Sequence, residues 1–204
     1  MSTFGALDFV PAFQAFLNKH KPDLRIPASI FDCLNVYKSI AVLLPNIPHI
    51  SDKSRLSKLR ACCAIPSHSL RKPDTPAHFD TALIIQDNIL QREMGGLHGW
   101  SYRYLSKFKL TCSLFAGLRA AQIHVIFTLP PQYGTFSHPL AYIEWFQPFT
   151  TIDENIGMYK VVRSTRNRAW HSAIVSVNEI LQACHLAPKY GPAPVDHLDT
   201  LERA

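Results

Sequence analysis

The chain has 204 residues, enough for one domain with a buried core, and its 47% hydrophobic and 18% charged content excludes an extended disordered polymer. Fifteen prolines against eight glycines argue against a helical bundle and for short extended segments joined by fixed turns. The formal charge of +6 is carried by residues 1–115, while 116–204 sum to zero; such an excess fits polyanion binding or an ordinary solvated surface.

In chain order, "LDFVPAFQAFLNKH" places Phe9, Phe13, Phe16 and Leu17 on one helical stripe, with Pro11 tolerated near its start. This predicts a helical arm within residues 1–30, ahead of a single β-rich domain over 31–191 and a flexible tail over 192–204. "FDCLNVYKSIAVLLP" reads as strand from Val36, Ile40, Val42 and its closing proline. "HISDKSRLSKLRACC" carries Lys53, Arg55, Lys58 and Arg60 with only Asp52 nearby. "AIPSHSLRKPDTP" reads as exposed loop, and "AHFDTALII" as a further strand. "AAQIHVIFTL" alternates, with Ile123, Val125, Phe127 and Leu129 on one face and Gln122, His124 and Thr128 opposite. After the turn-rich "PPQYGTFSHP", "LAYIEWF" alternates again. "GMYKVVRS" and "SAIVSV" predict two more strands, and "NEILQACHL" a short C-terminal helix. The fold class expected is mainly β (α+β): a small curved sheet or barrel of five to six strands, with the N-terminal helix and the short C-terminal one.

Several chemistries lack their signatures. Cys62, Cys63, His68 and His78 lie close together, and Cys184 adjoins His185. None forms the local Cys-x-x-Cys or His-x-x-x-His pair that preorganises zinc, so no metal is expected. No Gly-x-Ser-x-Gly elbow or phosphate-cradling glycine loop occurs, and Asp80, Glu144, Asp153 and Glu154 are scattered. No enzyme activity and no cofactor are expected. Five cysteines, Cys33, Cys62, Cys63, Cys112 and Cys184, without regular spacing suit free thiols in an intracellular compartment. "MSTFGALDF" does not read as a secretory leader, and the longest apolar run, "IAVLL", is too short for a bilayer, so no membrane contact is expected.

Two binding patterns remain. "YKVVRSTRNRAWH" holds Lys160, Arg163, Arg166 and Arg168 without an acid, beside Tyr159 and Trp170. On a hairpin this offers guanidinium groups to phosphates and aromatic rings for stacking, or is simply an exposed tip. Tyr142, Trp145 and Phe146, with Phe149, could line a cage for a methylated lysine, or fill the core.

The blocks "PAHFDTALI", "LRAAQIHVIFTLP", "HPLAYIEWFQPF", "GMYKVVRSTRNRAW" and "CHLAPKYG", in this order, resemble the C-terminal region of Plavaka-type transposon proteins of mushroom-forming fungi. The resemblance covers most of residues 8–191. It implies the tail of a cut-and-paste transposase-like protein whose catalytic region is not matched here. The strand pattern is also similar, in architecture, to the small β-barrels of bromo-adjacent-homology chromatin modules. Together these imply a non-catalytic DNA- or chromatin-associated accessory module acting in the nucleus. Its partners would be duplex DNA, chromatin or other transposase-like chains. The alternative is a module that binds a histone tail or transposase partner through the aromatic face.

In that family a GL-x-G turn runs directly into "LRAAQIHVIF", whereas here residues 100–117, "WSYRYLSKFKLTCSLFAG", intervene. The segment is in frame and has a length common for fungal introns. Leu110-Thr111 can be encoded by a branch-point-like CTNAC, and "SLFAG" by a pyrimidine-rich tract ending in GCAG. It reads as a translated, unspliced intron or as a genuine amphipathic insertion. Its Arg103, Lys107 and Lys109 carry half of the formal charge.

Overall fold

The computed structural model describes residues 1–44, 55–66, 74–87, 117–153 and 157–187. The tail 192–204 and the segment 100–117, apart from Gly117, lie outside the described residues.

One helix precedes the strands. α1 (Phe9–His20) buries Phe9, Ala12, Phe13, Phe16 and Leu17, the stripe that the sequence spacing predicts. Pro11 stands in the first turn, where its missing N–H costs no helical bond. The strands follow as β1 (Asn35–Tyr37), β2 (Ser39–Leu44), β3 (Arg55–Cys62), β4 (His78–Phe79), β5 (Thr81–Ile85) and β6 (Leu118–Thr128). Then come β7 (Leu140–Trp145), β8 (Thr151–Asp153), β9 (Met158–Lys160), β10 (Thr165–Arg166), β11 (Ala169–Trp170), β12 (Ser172–Ser176) and β13 (Ile180–Ala183).

The main sheet is antiparallel and open, ordered β12-β7-β6-β5-β13, with β1 pairing the far end of β6 beyond β5. Of the two architectures expected, sheet or barrel, it is the sheet. A second sheet, β2-β3-β4, packs on one face, where Leu59, Ala61, Ile40, Val42 and Phe79 meet Ile123, Ile126, Ala141 and Ile143. α1 covers the other face against Val125, Phe127, Leu140, Tyr142 and Ile174. The helix expected as an appended arm is therefore a layer of the domain core.

Two covered faces leave β7 buried at every position from Leu140 to Trp145, so its alternation does not sort core from solvent. β6 departs from simple alternation. Ile123 pairs Ile143 but Val125 pairs Tyr142, so His124 is the extra residue of a β-bulge. The bulge advances the side-chain order by one. Ile123 and Ile126 therefore share the face towards the second sheet, while Val125 and Phe127 turn to α1. Ile123, Val125 and Phe127, expected on one face, are split between two.

The C-terminal helix is also corrected. Only Val177–Glu179 makes a 3₁₀ turn, started by the Ser176 hydroxyl accepting from the Asn178 N–H. Ile180–Ala183 then extends along β5, with a register shift between Ile180 and Gln182. The open edge of β5 offers backbone partners to this short segment, and Ile180 completes the core; tertiary pairing outweighs local helix preference.

The flanks of the long β5–β6 connection are held together. The N–H groups of Gln86 and Asp87 donate to the Gly117 carbonyl at 2.8 and 3.2 Å. The basic segment 100–117 thus belongs to the connection of a hairpin whose strands pair without it.

Phe13 is the centre of the helix layer, 1% exposed, with ring centroids 5.2 to 5.9 Å from Tyr133, Phe9 and Phe127. Phe13→Ala is expected to cost about 3–5 kcal/mol of stability. Denaturant unfolding checks this through a lowered midpoint at unchanged slope.

Candidate nucleic-acid interface

The basic run forms a tight hairpin. β10 and β11 pair Thr165 with Trp170 and Arg166 with Ala169, leaving Asn167 and Arg168 as the loop. Both loop residues have positive φ, 52° and 64°, the pattern of a type I′ turn. That turn suits the right-handed twist of a hairpin, and it favours Asn or Asp followed by Gly. Asn167 fits. Arg168 occupies a position where glycine is unstrained and an L side chain is not.

Below the tip the chain is tied to the end of β7. The Ser164 N–H donates to the Trp145 carbonyl at 2.8 Å, the Trp145 N–H to the His171 carbonyl at 2.9 Å, and the His171 N–H to the Ser164 carbonyl at 2.8 Å. Successive side chains therefore leave opposite sides of this ribbon. Arg163 and Trp170 lie on one side, Ser164 and His171 on the other.

Arg163 is expected to neutralise a phosphate, but its guanidinium is engaged within the protein. Nη1 donates to Glu144 Oε2 at 2.8 Å and Nη2 to Gln122 Oε1 at 2.7 Å. Its Cζ lies 5.2 Å from the centre of the Trp170 ring, a cation–π contact that holds the half-exposed indole. The reason is Glu144: its carboxylate, 7% exposed, sits in a strand covered on both faces. A buried carboxylate without a cation is costly, and Arg163 supplies the cation. Of the basic residues named from the sequence, Arg163 is thus a tether. Lys160, Arg166 and Arg168 are exposed, and none has a carboxylate within ion-pair distance among the described residues.

The second group facing Glu144 is the bulged His124. Nε2 stands 3.3 Å from Glu144 Oε2 but makes no hydrogen bond with it, while Nδ1 donates to the Phe4 carbonyl at 2.9 Å. Phe79 stacks on the imidazole at 5.0 Å between ring centres. Gln122 completes the set by donating to the Phe79 carbonyl at 3.3 Å. Sequence reasoning counts Glu144 among scattered carboxylates and does not find its partners. The signal is a lone acid within an otherwise apolar strand.

No family model, curated protein or solved structure matches this chain.

The aromatic alternative is not assembled as a surface. Tyr142, Trp145 and Phe146 are 1%, 6% and 9% exposed. Tyr142 packs beneath α1, Trp145 towards the second sheet, and Phe146 in a small cluster with Leu83 and Ala120. Burial pushes the Tyr142 phenol above its ordinary range, with the Glu144 and Asp8 carboxylates adding to it. These three residues fill core and line no common cage.

Among the described residues no group of three His, Cys, Asp or Glu side chains could hold a metal ion, and His68 lies outside them. His78 Nε2 instead pairs with Asp80 Oδ1 at 2.7 Å. Cys33, Cys62, Cys63 and Cys184 are free thiols, while Cys112 lies outside the described residues. No helix among the described residues is long and apolar enough to cross a membrane.

Arg163 is itself 41% exposed, but its removal leaves the 7%-exposed Glu144 carboxylate without that cation. Arg163→Ala is therefore expected to lower stability by roughly 1–3 kcal/mol, whereas Lys160→Ala stays within about 0.5 kcal/mol. Denaturant unfolding compares the two. Equal effects would show that the Arg163–Glu144 contact holds nothing in place.

Proposed function

We propose that this chain is a non-catalytic, DNA- or chromatin-associated accessory module, in which Arg166 and Arg168 neutralise backbone phosphates and Lys160 assists. The resemblance to Plavaka-type transposon proteins favours the same reading, with other transposase-like chains as partners and the nucleus as the place of action. The observation that carries it is Arg168. It stands exposed at φ 64°, the second position of a two-residue turn, where glycine would be free of strain. A left-handed L residue costs about 1–2 kcal/mol, and such strain concentrates at sites of function. The arginine there gives the tip a second guanidinium beyond Arg166. Trp170, 45% exposed, supplies an aromatic surface at the base of the same hairpin.

The chemistry is electrostatic. Phosphate neutralisation releases counterions and makes affinity fall with salt, independently of base sequence. Three contacts predict a log–log slope of binding against salt of about −2.7, from about 0.9 per contact. Fluorescence anisotropy with a mixed-sequence duplex, between about 50 and 200 mM salt, measures it directly. The double variant Arg166→Ala, Arg168→Ala is expected to reduce the slope to about −0.9. Affinity that is indifferent to salt, or a slope unchanged in the double variant, would overturn the reading.

Arg168→Gly separates the two roles of that position. It is expected to raise stability by about 0.5–1 kcal/mol, since the turn then has its preferred residue, and to lower the salt slope by about 0.9. Stability and binding should move in opposite directions. A variant that gains stability and keeps full binding would remove Arg168 from the interface.

A further inference from the structure

The side of the hairpin turned away from Glu144 carries a different group of charges. Arg119, in β6, is 6% exposed. Its Nε donates to the Phe146 carbonyl at 2.6 Å and its Nη2 to the Ser164 hydroxyl at 3.0 Å. Its Cζ lies 5.2 Å from the centre of the Trp145 ring. Every one of these partners is neutral, and among the described residues no carboxylate lies within ion-pair distance of this guanidinium. Its remaining N–H groups have no acceptor there either.

Two further basic groups stand beside it. His171 Nδ1 is 3.5 Å from the Ser164 hydroxyl that accepts from Arg119. Arg166 follows Ser164 by two residues on the same side of the ribbon. The His171 imidazole is held below its ordinary range by burial and by the charges of Arg119 and Arg166. Exposure grades outward, from Arg119 and Ser164, both buried, through half-buried His171 to exposed Arg166. Like charges gathered at a buried group raise the energy of the fold unless an anion compensates them.

We propose that Arg119, Ser164, His171 and Arg166 form a binding site for one phosphate group, entered from the Arg166 side. Arg119 offers directed N–H donors from the buried end. Arg166 supplies a mobile second guanidinium, and the Ser164 hydroxyl and the His171 ring complete the donor set. A tetrahedral oxyanion with several acceptor oxygens suits donors arriving from several sides. The phosphate can come from a nucleic-acid backbone or from a free phosphate ester. The site itself requires neither Arg168 nor Lys160, so it stands apart from the interface proposed above, although Arg166 serves both.

The test is a titration of the full chain with inorganic phosphate at constant ionic strength, balanced with chloride. It is followed by NMR of the Arg119 Nε–H and the Ser164 and His171 amides. Saturable shifts at these groups are expected. Arg166→Ala should weaken binding about tenfold, the equivalent of one charge-assisted bond. Ser164→Ala should weaken it less, and Lys58→Ala, on the second sheet, not at all. Removal of Arg119 endangers the fold, so the decision rests on Arg166 and Ser164. Absence of saturable shifts, or equal affinity in Arg166→Ala and the parent, would overturn the site, whatever the salt slope for DNA shows. Titrating duplex in place of phosphate identifies the source: the same shifts of the Arg119 Nε–H and the Ser164 amide assign a backbone phosphate, and duplex binding without them a free phosphate ester.

Discussion

A carboxylate in a strand with both faces covered constrains this fold. Glu144 lies in β7 between α1 and the second sheet, and its charge has to be met from within. Arg163 meets it at 2.8 Å, and for Arg163 to be there the chain beyond β9 must return to the end of β7. The backbone bonds of Ser164 and His171 to Trp145 complete that return. The His124 bulge brings an imidazole to the same carboxylate, and the Phe4 carbonyl holds that imidazole from the N-terminal segment. A buried ion pair adds little stability over an apolar substitute, but its rupture is costly. Glu144 thereby disfavours alternative registers of β7 and of the hairpin, since either would leave a buried charge alone.

The same three-layer arrangement explains why β6 is long and irregular. Over eleven residues it must pair β5 and then β1 on one side, and β7 along the other. A regular strand would keep Ile123, Val125 and Phe127 on one face. With the bulge, Val125 and Phe127 pack with the aromatic groups of α1, while Ile123 and Ile126 meet the aliphatic second sheet. The glycine at position 5 serves the same junction: at φ 69°, its backbone lies close enough to the His124 ring for an added Cβ to stand 3.4 Å from Nδ1.

Much of this architecture is legible in the residues. The stripe of Phe9, Phe13, Phe16 and Leu17 marks α1, and β-branched runs closed by proline or turn residues mark β2, β5, β6, β7 and β12. The mainly β class follows from them. What escapes is whatever depends on contacts distant in sequence. In "QIHVIF" the alternation stops at Val125-Ile126-Phe127, and three consecutive apolar residues suit any strand covered on both faces, so nothing local announces a bulge. "NEILQACHL" has helical composition, and only the open edge of β5 makes Ile180–Ala183 a strand. Alternation along a strand favours core for Tyr142, Trp145 and Phe146, but only their packing in the fold removes the cage reading. Arg119 looks like the ordinary polar start of a strand; its burial arises from Trp145 and Ser164, 26 and 45 residues further on.

The basic run from Lys160 to Trp170 shows why a charge count overstates an interface. Its residues alternate across a two-stranded ribbon, so neighbours in sequence face different surroundings. Arg163 points to Glu144 and its charge is cancelled. Arg166 leaves the other side, towards His171 and an Arg119 that has no carboxylate partner among the described residues. At Asn167 and Arg168 positive φ interrupts the alternation, so Arg168 belongs to neither side and projects from the tip. Three arginines within six residues are thus one tether, one exposed edge of a cationic cluster and one cation without a carboxylate partner among the described residues. A field acting on a distant polyanion sums all of them, whereas a phosphate in contact meets only those whose hydrogen-bond donors are unspent. The folded hairpin, rather than the formal charge of the chain, sets how many contacts a polyanion can make here.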